Sequence, residues 1–241
     1  MIICPNCKNK LNKINNTYKC CNNHSFDISK DSYLNLLLNK PKAGDNQKMI
    51  KSRKEFLEKG YFDPLVNQVI TSINSLYLDK PNILDIGCAD GYYTNLIAKH
   101  YPNTIGMDIS KEAIKFAARK YKERDFFVAN GRDIPISNKS VDIILNIFAP
   151  HFISEYSRIL KDEGSIIKVT PNSKHLFELK EILYDNVYLT KEGLPMILLS
   201  KQEFLNLCQK FSLIIEGKII EYKRNVTTGT RSVMRGVLKR V

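Results

Sequence analysis

An α/β fold built on a doubly wound parallel sheet, with a small cysteine-bearing ribbon ahead of it, is what the sequence predicts from three observations. Strand-like and helix-like segments alternate between residues 82 and 169 at the rhythm of βαβ units. A glycine-bearing loop, Asp85-Ile86-Gly87-Cys88-Ala89-Asp90-Gly91, closes the first of these strands. Ahead of both, Cys4-Pro5-Asn6-Cys7 and Cys20 with His24 form two short-range pairs separated by twelve residues.

Residues 1–35 read as the ribbon. Tetrahedral zinc needs four N or S donors, and two pairs on tight turns joined by a loop present them at low entropic cost. Cys4, Cys7, Cys20 and His24 supply such a set in a Cys-x₂-Cys…Cys-x₃-His pattern. Cys21 leaves two other sets open: a Cys21-x₂-His24 pair, or a four-cysteine site using Cys20 and Cys21 together. Paired spacings of this kind point to metal rather than to a disulfide in a cytosolic chain. An apolar stretch at 33–38 ends the ribbon, and a polar joint at 39–45 opens a linker region over 36–80. There Met49, Ile50, Phe56 and Leu57 mark a helix over 46–59 that Gly60 stops, and a second helix covers 64–77. The remaining 81–241 form the sheet domain. Its strands are expected at 83–86, 104–108, 126–129, 141–145 and 165–169, with helices at 93–100, 111–121 and 153–160.

The chain has 241 residues and a formal net charge of +12, unevenly spread. Residues 1–60 carry twelve Lys/Arg against five Asp/Glu, residues 218–241 seven against one, and the middle is close to neutral. Basic ends on a neutral core suit a polyanionic substrate. No apolar run approaches a membrane span, and metal-type cysteines stand where a signal peptide would be, so a cytoplasmic protein with no membrane partner is expected.

The chemistry concentrates at strand ends. Asp85 ends the first core strand, while Gly87 and Gly91 allow backbone angles and close approach that side chains would forbid. Seventeen residues beyond Gly91, Asp108 ends the second strand, where a carboxylate can accept both ribose hydroxyls of an adenosine. A dinucleotide loop keeps three glycines for a pyrophosphate. This Asp-x-Gly-x-x-x-Gly form instead suits the cationic amino-acid end of S-adenosylmethionine. Asn130, beside Gly131 after the third strand, is placed to bond an adenine edge.

Several segments together carry a family resemblance. They are Phe26-Asp27, Lys30-Asp31 and Tyr33-Leu34-Asn35-Leu36-Leu37; Gly44-Asp45, Met49, Arg53, Phe56-Leu57, Gly60-Tyr61 and Pro64-Leu65; and Leu84-Asp85-Ile86-Gly87-Cys88 with Gly91-Tyr92-Tyr93-Thr94. Ile147-Phe148-Ala149-Pro150, Thr170-Pro171, His175-Leu176, Glu178-Leu179-Lys180 and Tyr184 complete the set. From residue 4 to about residue 184 the chain resembles the RlmA (RrmA) family of bacterial 23S rRNA guanine-N1 methyltransferases. The family's ribbon keeps three residues between its third cysteine and its histidine, which implies Cys20 rather than Cys21. The resemblance implies a Rossmann-like class I methyltransferase sheet with an N-terminal zinc-ribbon module. Zinc and S-adenosyl-L-methionine are the cofactors it implies, with a 23S rRNA hairpin as partner and a homodimer as the assembly. The cofactor would lie on Asp85, Gly87, Cys88, Gly91, Tyr92, Tyr93, Asp108, Ile109, Asn130 and Gly131.

Guanine N1 carries a proton that must leave while the methyl group is held in line with the nitrogen. Asn146, Phe148, Pro150 and His151 follow the fourth strand and are the candidates there. Phe148 would stack on an extruded base, Asn146 bond its edge, and His151 accept the proton. The ribbon is expected to serve the RNA and leave cofactor binding to the sheet. Three features depart from the family: Ala89 stands at a central loop glycine, Lys161-Asp162-Glu163-Gly164 lacks the usual Pro-Gly-Gly, and the chain has no tryptophan. The closing antiparallel hairpin is therefore expected to be missing or replaced.

Overall fold

The computed structural model describes residues 1–39, 47–171, 188–189, 195–196, 213–226 and 229–240. Most of the joint at 39–45 and the family-like segment at 175–184 lie outside the described residues. The chain forms two compact units, residues 1–167 and 168–241.

The first unit opens on a three-stranded antiparallel ribbon, β1 (Asn12–Ile14), β2 (Thr17–Lys19) and β3 (Ser25–Asp27). Its strands are largely exposed, so little apolar burial holds them. The apolar stretch that follows does more than end the ribbon. β4 (Leu34–Asn35) runs parallel to β7 (Asp125–Val128), pairing Leu34 with Phe127 and Asn35 with Val128. Tyr33 packs with Cys88, Ile114 and Phe126 in the core.

Two helices precede the first strand of the sheet domain: α1 (Gln47–Leu57) and α2 (Asp63–Asn74). Gly60 turns between them at φ 72°. Pro64 sits in the first turn of α2, where a missing N–H costs nothing. Leu65, Val66, Val69 and Ile73 then recur at helical spacing and are buried.

β5 (Ile83–Ile86) is buried throughout, as a central parallel strand covered on both faces must be. It lies between β6 (Thr104–Asp108) and β8 (Val141–Ile147), parallel to both, with β7 parallel to β6 beyond. The strand order is β9-β8-β5-β6-β7-β4, where β9 is Leu160–Pro171 and lies in the first unit as far as residue 167. The order reverses between β5 and β8, which puts a crevice at the carboxyl ends of these strands, beside that of β6, the place where open α/β sheets bind ligands. The connecting helices are α3 (Tyr92–Ala98), α4 (Lys111–Lys120) and α5 (Ile153–Ile159). Ser110 caps α4 by accepting from Ala113 N at 3.2 Å, and Ala113, Ile114, Ala117 and Ala118 are its buried face.

In the second unit, β10 (Tyr188–Leu189) pairs antiparallel with β11 (Pro195–Met196). β12 (Leu213–Val226) and β13 (Gly229–Arg240) form a long antiparallel hairpin that pairs Val226 with Gly229. Of the two expectations for this end, missing or replaced, the first does not hold, because an antiparallel hairpin is present. Ladder pairing comes from backbone groups and β-forming residues such as Ile219, Ile220 and Tyr222, and it does not need the tryptophan.

Candidate active site and metal centre

The ribbon gathers Cys4, Cys7, Cys20 and His24 so that their donor atoms all lie within 4.8 Å of one another. Cys7 Sγ is 3.6 Å from Cys20 Sγ, and His24 Nδ1 is 3.5 Å from Cys4 Sγ and 3.4 Å from Cys20 Sγ. Ligands about 2.3 Å (S) and 2.0 Å (N) from a tetrahedral zinc would be separated by roughly these distances. Two tight turns set the geometry: Lys8 N donates to Cys4 O and Asn23 N to Cys20 O, with Lys8 and Asn23 both at φ near 60°. The backbone N–H of Asn9, followed by His24, Cys20 and Cys4, lowers the Cys7 thiol to about 6. Thiolate, the form that binds metal, is thus favoured there. Cys21 is exposed and points to Asn22 Oδ1, outside the cluster, which settles the choice in favour of Cys20.

The loop after β5 bends around its glycines. Gly87 has φ 78°, and a Cβ there would fall 2.4 Å from that of Ala149. Gly91, at φ 74°, starts α3. Ala89 occupies the same left-handed region at φ 49°, which an L-residue with a Cβ resists. Asp85 is buried, and its Oδ2 accepts from Thr94 Oγ1 at 2.6 Å. Burial raises its carboxyl to about 7, against the lowering effect of the Thr94 hydroxyl and with a further push from Asp108. Asp108 reaches across from β6: Oδ2 accepts from Ala89 N at 2.9 Å and Oδ1 from Ser110 N at 2.8 Å. The acid on the second strand thus grips the loop of the first. Ile109, next to it, is half-buried.

The other predicted cofactor residues divide. Cys88 turns its thiol into the core with Ile114, Ala117 and Phe126, leaving only its backbone for a ligand. Tyr92 is buried against Leu57 and Val66 and donates to Asp63 Oδ1 at 3.0 Å, while Tyr93 meets the rings of Tyr92 and Phe62 edge-on. After β7, Asn130 Oδ1 accepts from Arg132 N at 3.0 Å, closing a turn that also contains Gly131.

At the end of β8, Asn146 is fully buried. Its Nδ2 donates to Pro150 O at 2.8 Å and to Tyr156 Oη at 2.7 Å, which fixes the turn over 147–150. Phe148, on that turn, has φ 55° and is 39% exposed, one of few large apolar side chains in the described residues left open to solvent. Its ring meets that of Phe62 edge-on at 5.9 Å. Pro150 is exposed and His151 half-buried beside it. Phe62 and Asp63, on the turn before α2, were missing from the sequence-based site; only their position after Gly60 hinted at a fixed turn, and nothing local pointed that turn toward residue 148.

Glycine loop, cross-strand acid and exposed aromatic meet at the carboxyl ends of a parallel sheet, and a four-donor ribbon precedes them: this is a class I S-adenosylmethionine-dependent methyltransferase with a zinc ribbon. The family described as RlmA, N-terminal, matches residues 2–43, and that described as a methyltransferase domain matches residues 84–167. The chain belongs to the RlmA family of 23S rRNA (guanine-N1)-methyltransferases. It is 31% identical to YxjB of Bacillus subtilis, named for that activity, over 76% of this chain and 69% of the relative. It is 32% identical to the 23S rRNA (guanine(748)-N(1))-methyltransferase of Streptomyces fradiae over 75% of this chain and 66% of the relative. The matches thus span about two thirds of these relatives' lengths. In fold it is similar to a SAM-dependent methyltransferase of Methanosarcina mazei, with a TM-score of 0.58 at 20% identity over 70% of this chain and 97% of that one. A second, from Aquifex aeolicus, has a TM-score of 0.56 at 15% identity over 80% and 99%. Among the described residues no helix is long and apolar enough to cross a membrane.

Proposed function

We propose that the protein transfers a methyl group from S-adenosylmethionine to N1 of a guanine in a hairpin of 23S rRNA, in the cytoplasm. The observation that carries this reading is the exposed ring of Phe148, held at a left-handed φ beside the cofactor crevice, in a chain that also bears the family's zinc ribbon. S-adenosylmethionine supplies an electrophilic methyl group. Asp108 accepts the ribose hydroxyls, Asn130 and Gly131 flank the adenine, and the backbone at Gly87 and Cys88 lies against the ligand. Ionised Asp85 offers the cationic amino group a counter-charge.

Phe148 stacks on the guanine once it leaves its helix, the geometry an enzyme needs to reach a ring nitrogen. Asn146 acts through the turn that it ties to Pro150, not on the base itself. His151 takes the N1 proton as the nitrogen attacks. Lys10, Lys13 and Lys19 on the ribbon meet phosphates, whereas Lys8 is engaged by Asp133 at 2.6 Å. The test is incubation with undermethylated large-subunit rRNA and labelled cofactor, followed by location of the label. Label on N1 of one guanine supports the reading; label only on small molecules, or none on RNA, defeats it.

A further inference from the structure

The loop over 130–137 leaves β7 with Asn130 and Gly131 at its start, and it is grasped from two sides. On one side stands α5. Glu155 Oε2 accepts from Ile134 N at 2.7 Å, and the Arg158 guanidinium donates to Ile134 O and Ile136 O, each at 2.7 Å. Gly131 lies so close to the ring of Phe152 that a Cβ would fall 2.1 Å from it. On the other side stands the ribbon. Ile3 N donates to Pro135 O at 2.9 Å, Ser137 N donates to Met1 O at 2.8 Å, and Ile2 bridges antiparallel to Ile136. Lys8 Nζ meets Asp133 Oδ1 at 2.6 Å.

These ribbon contacts flank the first pair of metal ligands. Ile3 directly precedes Cys4 and Lys8 directly follows Cys7. The turn between the ligands is closed by Lys8 N to Cys4 O and by Cys4 N to Asn9 O, both at 2.8 Å. Ile3, Cys4 and Pro5 are buried and Ile2 O accepts from Leu11 N at 3.2 Å, whereas the far end of the turn is exposed, with Lys8 in the left-handed region. A small site of this kind gains its order from the metal. When the metal leaves, the Cys4–Lys8 turn loses that order, and the ribbon's side of the grip on the loop loosens while the α5 side stays.

We propose that the ribbon is a positioning element of the cofactor site: metal at Cys4 and Cys7 fixes residues 1–3 and Lys8, these fix 133–137, and the loop so held presents Asn130 and Gly131. Lys8 and Asp133 are its positioning residues. This rests on the reading of residues 130–131 as part of the cofactor site, and it departs from the expectation that the ribbon serves the RNA alone. Coupling of this type is reciprocal, so metal and cofactor each raise the other's affinity by the same factor.

The experiment is calorimetric titration of S-adenosylmethionine into the full chain, zinc-loaded and zinc-stripped, with no RNA present. Stripping is expected to weaken the cofactor by about 5-fold or more, the lower range of measured couplings. In the reverse direction, saturating cofactor is expected to raise zinc affinity against a competing chelator by the same factor. Lys8→Met, which keeps all four metal ligands, is expected to retain zinc and lose part of the cofactor affinity, and Lys8→Arg to restore it; this variant decides the matter alone if stripping unfolds the sheet. Equal cofactor affinity, within 2-fold, in loaded, stripped and Lys8→Met protein overturns the proposal. A zinc-loaded protein that binds no cofactor at all overturns the underlying cofactor-site reading, and the coupling falls with it.

Discussion

The metal centre and the cofactor crevice hold their binding groups by opposite means. In the ribbon, four donors stand on two tight turns joined by short, largely exposed strands, and the ligand itself completes the structure. In the sheet, Asp85 and Asp108 end strands whose neighbours Leu84, Ile86 and Met107 are almost entirely buried, so the site exists before any ligand arrives. The difference teaches where each site can fail: the ribbon through loss of metal, the crevice through strain or charge within its own loop and, at residues 130–131, through whatever loosens the ribbon's hold on the loop that follows.

The largest effect is expected from the metal. Structural zinc contributes about 10–16 kcal/mol in small zinc modules, so a chelator, or Cys4→Ala, should unfold residues 1–30 while the sheet keeps its cooperative transition. Limited proteolysis and circular dichroism check this, and a metal-free ribbon that resists protease would break the contrast. Cys21→Ala should leave zinc content unchanged.

Next comes the buried acid. In the native chain Asp85 keeps its proton up to pH about 7, whereas its ordinary value is 3.8. Between those values the native state binds more protons than the unfolded one, so stability falls as pH rises. The cost is absent below about pH 4 and complete above about pH 7. Asp85→Asn should therefore be more stable than the parent at pH 8, by up to about 4 kcal/mol, equal to it near pH 4, and weaker in cofactor binding. Urea unfolding at both pH values measures the difference; parallel pH curves for the two proteins would remove Asp85 from the account.

Asp108→Ala should cost about 1.5–3 kcal/mol of S-adenosylmethionine binding, the range for hydrogen bonds to a charged group. Calorimetry checks this, and an unchanged affinity would mean that the ribose lies elsewhere. The smallest effect concerns Ala89. Relief of its left-handed φ in Ala89→Gly should stabilise the protein by about 1 kcal/mol, net of the added freedom of the unfolded chain, without weakening the cofactor. A lower melting temperature would show that Ala89 is not strained.

Local patterns made much of this legible. Cysteine spacing announced the metal set, alternation announced the sheet, and Asp85 and Asp108 could be placed at strand ends by counting. What escaped were contacts made by a few residues over long separations. Nothing periodic marks residues 1–3 as the partner of 135–137, or Leu34–Asn35 as a strand beside β7. Asn146 was read by its position at a strand end, but only the fold reveals that Tyr156, ten residues later, takes up its amide. The resemblance places Cys88 on the ligand, and only the fold shows that its thiol turns into the core.

The pairing of residues 1–3 with 135–137 also sets an order of assembly on the ribosome. All four metal ligands have been made by residue 24, but the segment that clasps the ribbon follows more than a hundred residues later. At about 5–20 residues per second this interval is on the order of 5–20 s. During it the nascent ribbon has only zinc to hold it, with Leu11 and Tyr33, both buried in the finished protein, still uncovered. Metal bound during synthesis thus lets the ribbon order before the segment that clasps it has been made.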